Sequence, residues 1–207
     1  MLRIGVLVSG GGTNLQAIID RIESGYLKEC MIATVVSSRK DAFALQRAAK
    51  AGIEPVCIIR NEFSDIASYD DALLEHMISR QVELIVMAGF LNILGSKFVE
   101  FYKNRIINVH PALIPSFCGK GYYGLIPHQK ALEYGVKVTG ATVHFVELET
   151  DSGPIILQKA VYIKEDDTPE TLQKRVMEEA EQVILPEALK LYSEGRLKLE
   201  GRKVRII

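Results

Sequence analysis

At 207 residues, 48% of them hydrophobic, the chain has apolar mass for one domain of normal to large size with a substantial core. A formal net charge of -1 excludes the electrostatic footprint of a nucleic-acid or anionic-membrane binder. Cys30, Cys57 and Cys118 are far apart and in no C-x-x-C arrangement, which excludes a disulfide framework or structural zinc site and fits a reducing cytoplasm.

Residues 2–8 are an apolar run dense in β-branched side chains, too brief for a signal sequence or membrane span. Ser9-Gly10-Gly11-Gly12-Thr13-Asn14 follows, and then Leu15, Ile18, Ile19 and Ile22 at helical spacing, so the order is strand, glycine loop, helix. Gly25 closes that helix, and Gly52, Gly135 and Gly195 close three later helical patterns. Strands are expected at residues 31–36, 55–59, 84–88 and 106–110, with helices at about 41–51, through Tyr69 to Ile78, and through Phe98 to Phe101. Residues 117–124 are glycine-rich enough for a mobile covering loop, and Pro127 opens a helix through Leu132.

Residues 138–146 read as a long strand with Gly140, Thr142, His144 and Val146 on one face and Ala141, Val143 and Phe145 on the other. Asp151-Ser152-Gly153-Pro154 turns the chain into residues 155–163, an antiparallel partner for it. Thr168-Pro169 caps a long helix with Leu172, Val176, Ala180, Val183 and Ile184 on its apolar stripe and a kink at Pro186. The charged tail after Gly195 reads as an edge hairpin or strand. Alternating strands and helices imply an α/β fold: a single-domain, doubly wound, mostly parallel but mixed sheet of about seven strands, with helices on both faces.

Three segments carry candidate chemistry. Gly10, Gly11, Gly12, Thr13 and Asn14 join a strand to a helix N-terminus, where free N–H groups and the helix dipole favour a lone phosphate; a plain βα turn capped by Thr13 or Asn14 fits the same residues. Neither a dinucleotide fingerprint nor a P-loop is present, since position 15 is Leu and no Gly-Lys-Ser/Thr follows. Asn108 and His110, two residues apart at a strand's end before Pro111, share one face at the place where open α/β sheets bind ligands. Asp151, downstream of His144, could supply the carboxylate a catalytic histidine needs, although Asp-Ser-Gly-Pro is also an ordinary turn. His110, His128, His144 and Asp151 show no metal-site spacing, and no metal is expected. Cys118 is a weak nucleophile candidate, and His76 lies on a helix face.

Together, residues 9–14, Ala88-Gly89-Phe90-Leu91, Asn108-Val109-His110-Pro111-Ala112-Leu113-Ile114-Pro115, and Val143-His144-Phe145 leading to Asp151-Ser152-Gly153-Pro154 make the chain resemble the phosphoribosylglycinamide formyltransferase family over essentially its full length, 1–207. The resemblance implies a cytoplasmic enzyme that moves a formyl group from 10-formyltetrahydrofolate, a co-substrate, to the amine of glycinamide ribonucleotide, as a monomer or weak homodimer without nucleic-acid or membrane partners. By position it implies Asn108, His110 and Asp151 as catalytic residues. Gly11, Gly12, Thr13, Asn14 and Glu181 would hold the nucleotide, and Phe90, Leu91, Asn92, Ile93, Leu94, Asn108, Glu147 and Asp151 the folate. Asn92 and Ile66 stand where relatives often carry Arg, and residues 118–124 make a longer loop, which bears on the folate tail. Formyltetrahydrofolate hydrolases share the core motif with an added N-terminal domain, and methionyl-tRNA formyltransferase adds a C-terminal one. Formyltetrahydrofolate hydrolysis and a non-catalytic folate or nucleotide sensor are the competing readings.

Overall fold

The apolar run Leu2–Val8 forms β1, buried from Ile4 onward, because a strand covered on both faces has no reason to alternate. The computed structural model describes residues 1–207 in two compact units, 1–108 and 109–207. In the first, β1 is followed by α1 (Thr13–Glu23), β2 (Cys30–Ser37), α2 (Phe43–Lys50), β3 (Pro55–Cys57), a 3₁₀ turn at Arg60–Glu62, α3 (Ile66–Ser79), β4 (Leu84–Met87), α4 (Ser96–Phe101) and β5 (Ile106–His110). The strands run parallel in the order β3-β2-β1-β4-β5. Sequence neighbours β1 and β2 lie side by side and β4 lies on the other side of β1, so the order reverses there. The crevice at the carboxyl ends of β1 and β4 is thus where such a sheet receives a ligand.

Polar side chains hold this unit's helices. Asp65 and Ser68 form a reciprocal capping box at the start of α3. Asp70, 1% exposed on α3, accepts from the backbone N–H groups of Gly95 (2.9 Å) and Phe98 (3.2 Å), and so caps α4 from outside. His76 lies within 2.8 Å of the Thr34 hydroxyl, a tie between α3 and β2.

The second unit contains α5 (Ile126–Tyr134), β6 (Val138–Phe145), β7 (Ile155–Tyr162), α6 (Pro169–Val176), a π-helical turn (Met177–Glu181), α7 (Gln182–Ser193), β8 (Leu197–Glu200) and β9 (Lys203–Ile206). Its strands follow the order β6-β7-β9-β8, with β6 and β7 antiparallel as expected and β9 parallel to β7. The nine strands exceed the expected seven because the tail is a complete hairpin, β8 and β9. Residues 139–145 of β6 are buried on both faces. The Thr142 hydroxyl donates to the Ala112 carbonyl (2.7 Å) and accepts from the Ile114 N–H (3.1 Å), which fixes the chain leaving β5.

One helix expectation is corrected. Thr168 caps it, but the departure from α geometry falls at 177–181, before Pro186, which lies inside α7. A π turn carries a surplus residue, so the stripe slips: Ala180 and Ile184 are buried, whereas Val183 is 39% exposed. The same turn ends on Glu181, which is buried.

Candidate active site

The boundary between the units falls within β5, whose last two residues, Val109 and His110, belong to the second, and in that unit the turn after β6 ends on Asp151. His110 Nδ1 lies 3.4 Å from Asp151 Oδ2, both side chains at least nine-tenths buried. Asp151 adopts the left-handed conformation (φ 55), uncommon outside glycine and typical of positions where geometry serves a site. Gly153 is required two residues later: a Cβ there would come within 1.8 Å of the Phe145 carbonyl oxygen, which no side chain survives. The turn is thereby pressed against the end of β6, and the carboxylate is aimed inward.

Backbone groups of the loop after Pro115 complete the arrangement. The Phe117 carbonyl lies 2.9 Å from His110 Nε2; a carbonyl only accepts, so Nε2 carries the hydrogen and Nδ1 is the nitrogen presented to Asp151. The Gly119 N–H donates to Asp151 Oδ2 at 2.8 Å. Asp151 Oδ1 faces a second imidazole, His144 Nε2, at 3.6 Å. The sequence set His110 and Asp151 together only through the family resemblance, and it missed the Phe117 and Gly119 partners, because main-chain donors and acceptors leave no residue-type signal. The loop expected to be a mobile cover is, in this conformation, tied to both members of the pair.

Burial pulls His110 below the usual imidazole range, opposed by the Asp151 charge and the Phe117 carbonyl. Burial alone would raise Asp151, but the His144 hydrogen bond, the His110 charge and the Gly119 amide hold its carboxyl below the carboxylate range. Cys118 is no thiolate: burial and then Asp151 push its thiol up, and it donates to the Pro115 carbonyl. His110, His128, His144 and Asp151 do not form a group that could hold a metal ion.

His128, fully buried on α5 with neither ring nitrogen bonded, is pushed down to about 4, by burial first and then by His110. Between that value and the ordinary 6.5 the unfolded chain binds a proton that the folded one refuses, so stability falls as pH drops through this window. Urea unfolding from pH 7 to 4 is expected to lose roughly 2–3 kcal/mol through this group. His128→Phe should flatten that slope; an unchanged slope would refute the assignment.

The first unit holds the other candidates. Gly12 is the N-cap of α1 with φ 72, and no side chain caps the helix, so the alternative of a Thr13 or Asn14 cap is not what forms. A Cβ on Gly12 would meet Ala44 Cβ at 2.6 Å, whereas Gly10 and Gly11 face open space. Arg47 donates to the Gly11 carbonyl (2.9 Å) and adds a cation beside the loop. Uncapped N–H groups, a helix dipole and a guanidinium together suit an anion. Asn14 is buried and Thr13 half-buried. After β4, Phe90 and Leu94 anchor the segment in the core while Leu91 and Ile93 are exposed; the Leu91 N–H donates to Ser9 Oγ (2.9 Å) and Asn92 Nδ2 to the Tyr69 hydroxyl (3.3 Å). Asn108 is half-buried on β5, and Glu147 is exposed.

Residues 2–189 match the sequence profile of the family described as Formyl transferase. The chain is 42% identical over 97% of its length to phosphoribosylglycinamide formyltransferase of Haemophilus influenzae, of which it covers 91%. It is 40% identical over 97% of its length to trifunctional purine biosynthetic protein adenosine-3 of Chironomus tentans, of which it covers 14%. Among solved structures, it superposes on glycinamide ribonucleotide transformylase 1 from Symbiobacterium toebii with a TM-score of 0.94 and 44% identity, covering 100% of this chain and 94% of that one.

Proposed function

The chain belongs to the formyl transferase family, and we propose that residues 1–207 act as one formyltransferase domain transferring the formyl group of 10-formyltetrahydrofolate to the amine of glycinamide ribonucleotide. The observation that carries the chemistry is the buried His110–Asp151 pair, 3.4 Å apart, with the outer nitrogen of His110 committed to a backbone carbonyl. An amine attacking a formyl carbon builds negative charge on the carbonyl oxygen and positive charge on its own nitrogen. Asn108 supplies a neutral donor to that oxygen. Asp151 takes the proton from the amine nitrogen as the new C–N bond forms. His110, protonated at Nδ1, stabilises the oxygen and then gives its proton to the departing folate nitrogen as the old C–N bond breaks. The proton on Asp151 passes to His110, so the site ends as it began, and no metal is needed.

The α1 loop, through Gly11, Gly12, Thr13 and Asn14, holds the nucleotide phosphate, and Glu181 its ribose or glycinamide end. Leu91 and Ile93, flanking Asn92 and anchored by Phe90 and Leu94, receive the folate with Asn108, Glu147 and Asp151. The enzyme works in the cytoplasm on small molecules, as a monomer or weak homodimer; no helix is long and apolar enough to cross a membrane.

Incubation with 10-formyltetrahydrofolate, with and without glycinamide ribonucleotide, tests this. Formylated nucleotide in stoichiometric balance with folate product is expected. Formate release independent of nucleotide would make it a hydrolase, and binding without turnover a sensor. For the phosphate loop, Gly11→Asp places a carboxylate in open space that competes for the same N–H groups. The nucleotide KM is expected to rise roughly ten- to a hundredfold with the folate KM unmoved; equal movement of both would make the loop a structural turn.

A further inference from the structure

His144 lies on β6 with its side chain 2% exposed. Its Nδ1 is 2.8 Å from the Phe145 carbonyl, an acceptor only, so Nδ1 carries hydrogen and Nε2 faces Asp151 Oδ1. His110 repeats this arrangement with its nitrogens exchanged: Nε2–H is spent on the Phe117 carbonyl and Nδ1 faces Asp151 Oδ2. Two imidazoles therefore commit their outward nitrogens as donors and turn their inward nitrogens to the two oxygens of one carboxylate. With both rings neutral and Asp151 ionised, each inward lone pair would oppose a negative oxygen. Each contact becomes attractive only with a proton in it.

We infer that His144 shares the proton of the His110–Asp151 pair, so that the site holds protons as a three-membered cluster in which His144 is a positioning residue that never meets the substrate. When His110 gives its Nδ1 proton to the departing nitrogen and Asp151 takes one from the amine, the cluster's total is unchanged. His144 holds the second carboxylate oxygen in place while the proton returns to His110. The other titratable groups beside the cluster are His128 on α5, which feels His110, and the Cys118 thiol, which feels Asp151. The consequence for turnover rests on the proposed formyl transfer; the sharing of the proton does not.

With four histidines in the chain, ring carbon and nitrogen NMR on histidine-labelled protein resolves each one. His110 is expected to titrate in two steps, as a group coupled to a neighbour by about one unit or more does. In His144→Gln, His110 should show one step, displaced to higher pH by about half a unit to one unit, since a competing cation is gone. His144→Asn carries the test if His144→Gln fails to fold. His76, on α3, should not move. The limb of the kcat profile governed by His110 should follow in His144→Gln with KM unchanged. A His110 curve identical in His144→Gln, or ring nitrogen shifts placing hydrogen on the inward nitrogens alone, would overturn the inference. A confirmed coupling in a protein that transfers no formyl group would instead sink the proposed function.

Discussion

His110→Ala is expected to lower kcat by roughly three to four powers of ten, with KM for both substrates changed less than about threefold. The split follows from when the imidazole acts. Its Nδ1 proton matters only once charge has built on the formyl oxygen and on the departing nitrogen, so truncation removes an interaction made in the transition state and leaves ground-state binding alone. A general acid contributes about two to four powers of ten, and loss of a charged oxyanion partner adds to that. The fold should survive, because the bond that His110 makes to the Phe117 carbonyl joins β5 to a loop and supports no core strand. Steady-state kinetics beside a urea melt checks both halves. A folded His110→Ala with kcat within tenfold of the parent would remove His110 from the proton route and leave Asn108 as the sole oxygen donor.

The sheet was legible wherever periodicity separates a strand from a helix. Residues 4–8 and 84–87 carry no polar side chain on either face, Ile106 and Ile107 open a strand that turns polar at Asn108 and His110, and the glycines that close four helical patterns all have positive φ: Gly25 (75), Gly52 (71), Gly135 (81) and Gly195 (67). The third strand ends at Cys57, short of the expected residue 59, since apolar content alone does not say where pairing with β2 stops. What sequence could not carry is geometry made by main chain. The Phe117 carbonyl and the Gly119 amide decide which nitrogen of His110 works and how Asp151 is held, yet any residue offers a carbonyl and nearly any an amide. His144 was visible only as a neighbour of the turn, because its role depends on a left-handed Asp151 and on a Gly153 pressed against the Phe145 carbonyl. The π turn escaped for a related reason. A stripe at a period of 3.6 residues reads as continuous across one surplus residue, so Val183 was assigned to the core.

Asp151→Asn is the sharper test of the mechanism, because it keeps shape and removes the charge. An asparagine oxygen at the Oδ2 position can still accept from the Gly119 N–H, and its Nδ2, at the Oδ1 position, can donate to the inward nitrogen of His144. The exchange therefore satisfies the resting site while locking an imidazole neutral, and the amide cannot take a proton from the attacking amine. Turnover is expected to fall by at least three powers of ten, more than for a lost acid alone, since acceptor and cation fail together. Stability gives the independent reading. The Asp151 carboxyl is held below its unfolded value, so its contribution is present above the unfolded pKa near 3.8 and is lost as pH falls through the lower folded value. Asp151→Asn should accordingly cost stability at pH 7 and progressively less below about 4, where the parent carboxylate is itself protonated. If the variant kept kcat within tenfold, no carboxylate would be required at that position. The proton would then have to leave the amine through solvent, and the pairing of His110 with Asp151 would be a structural contact.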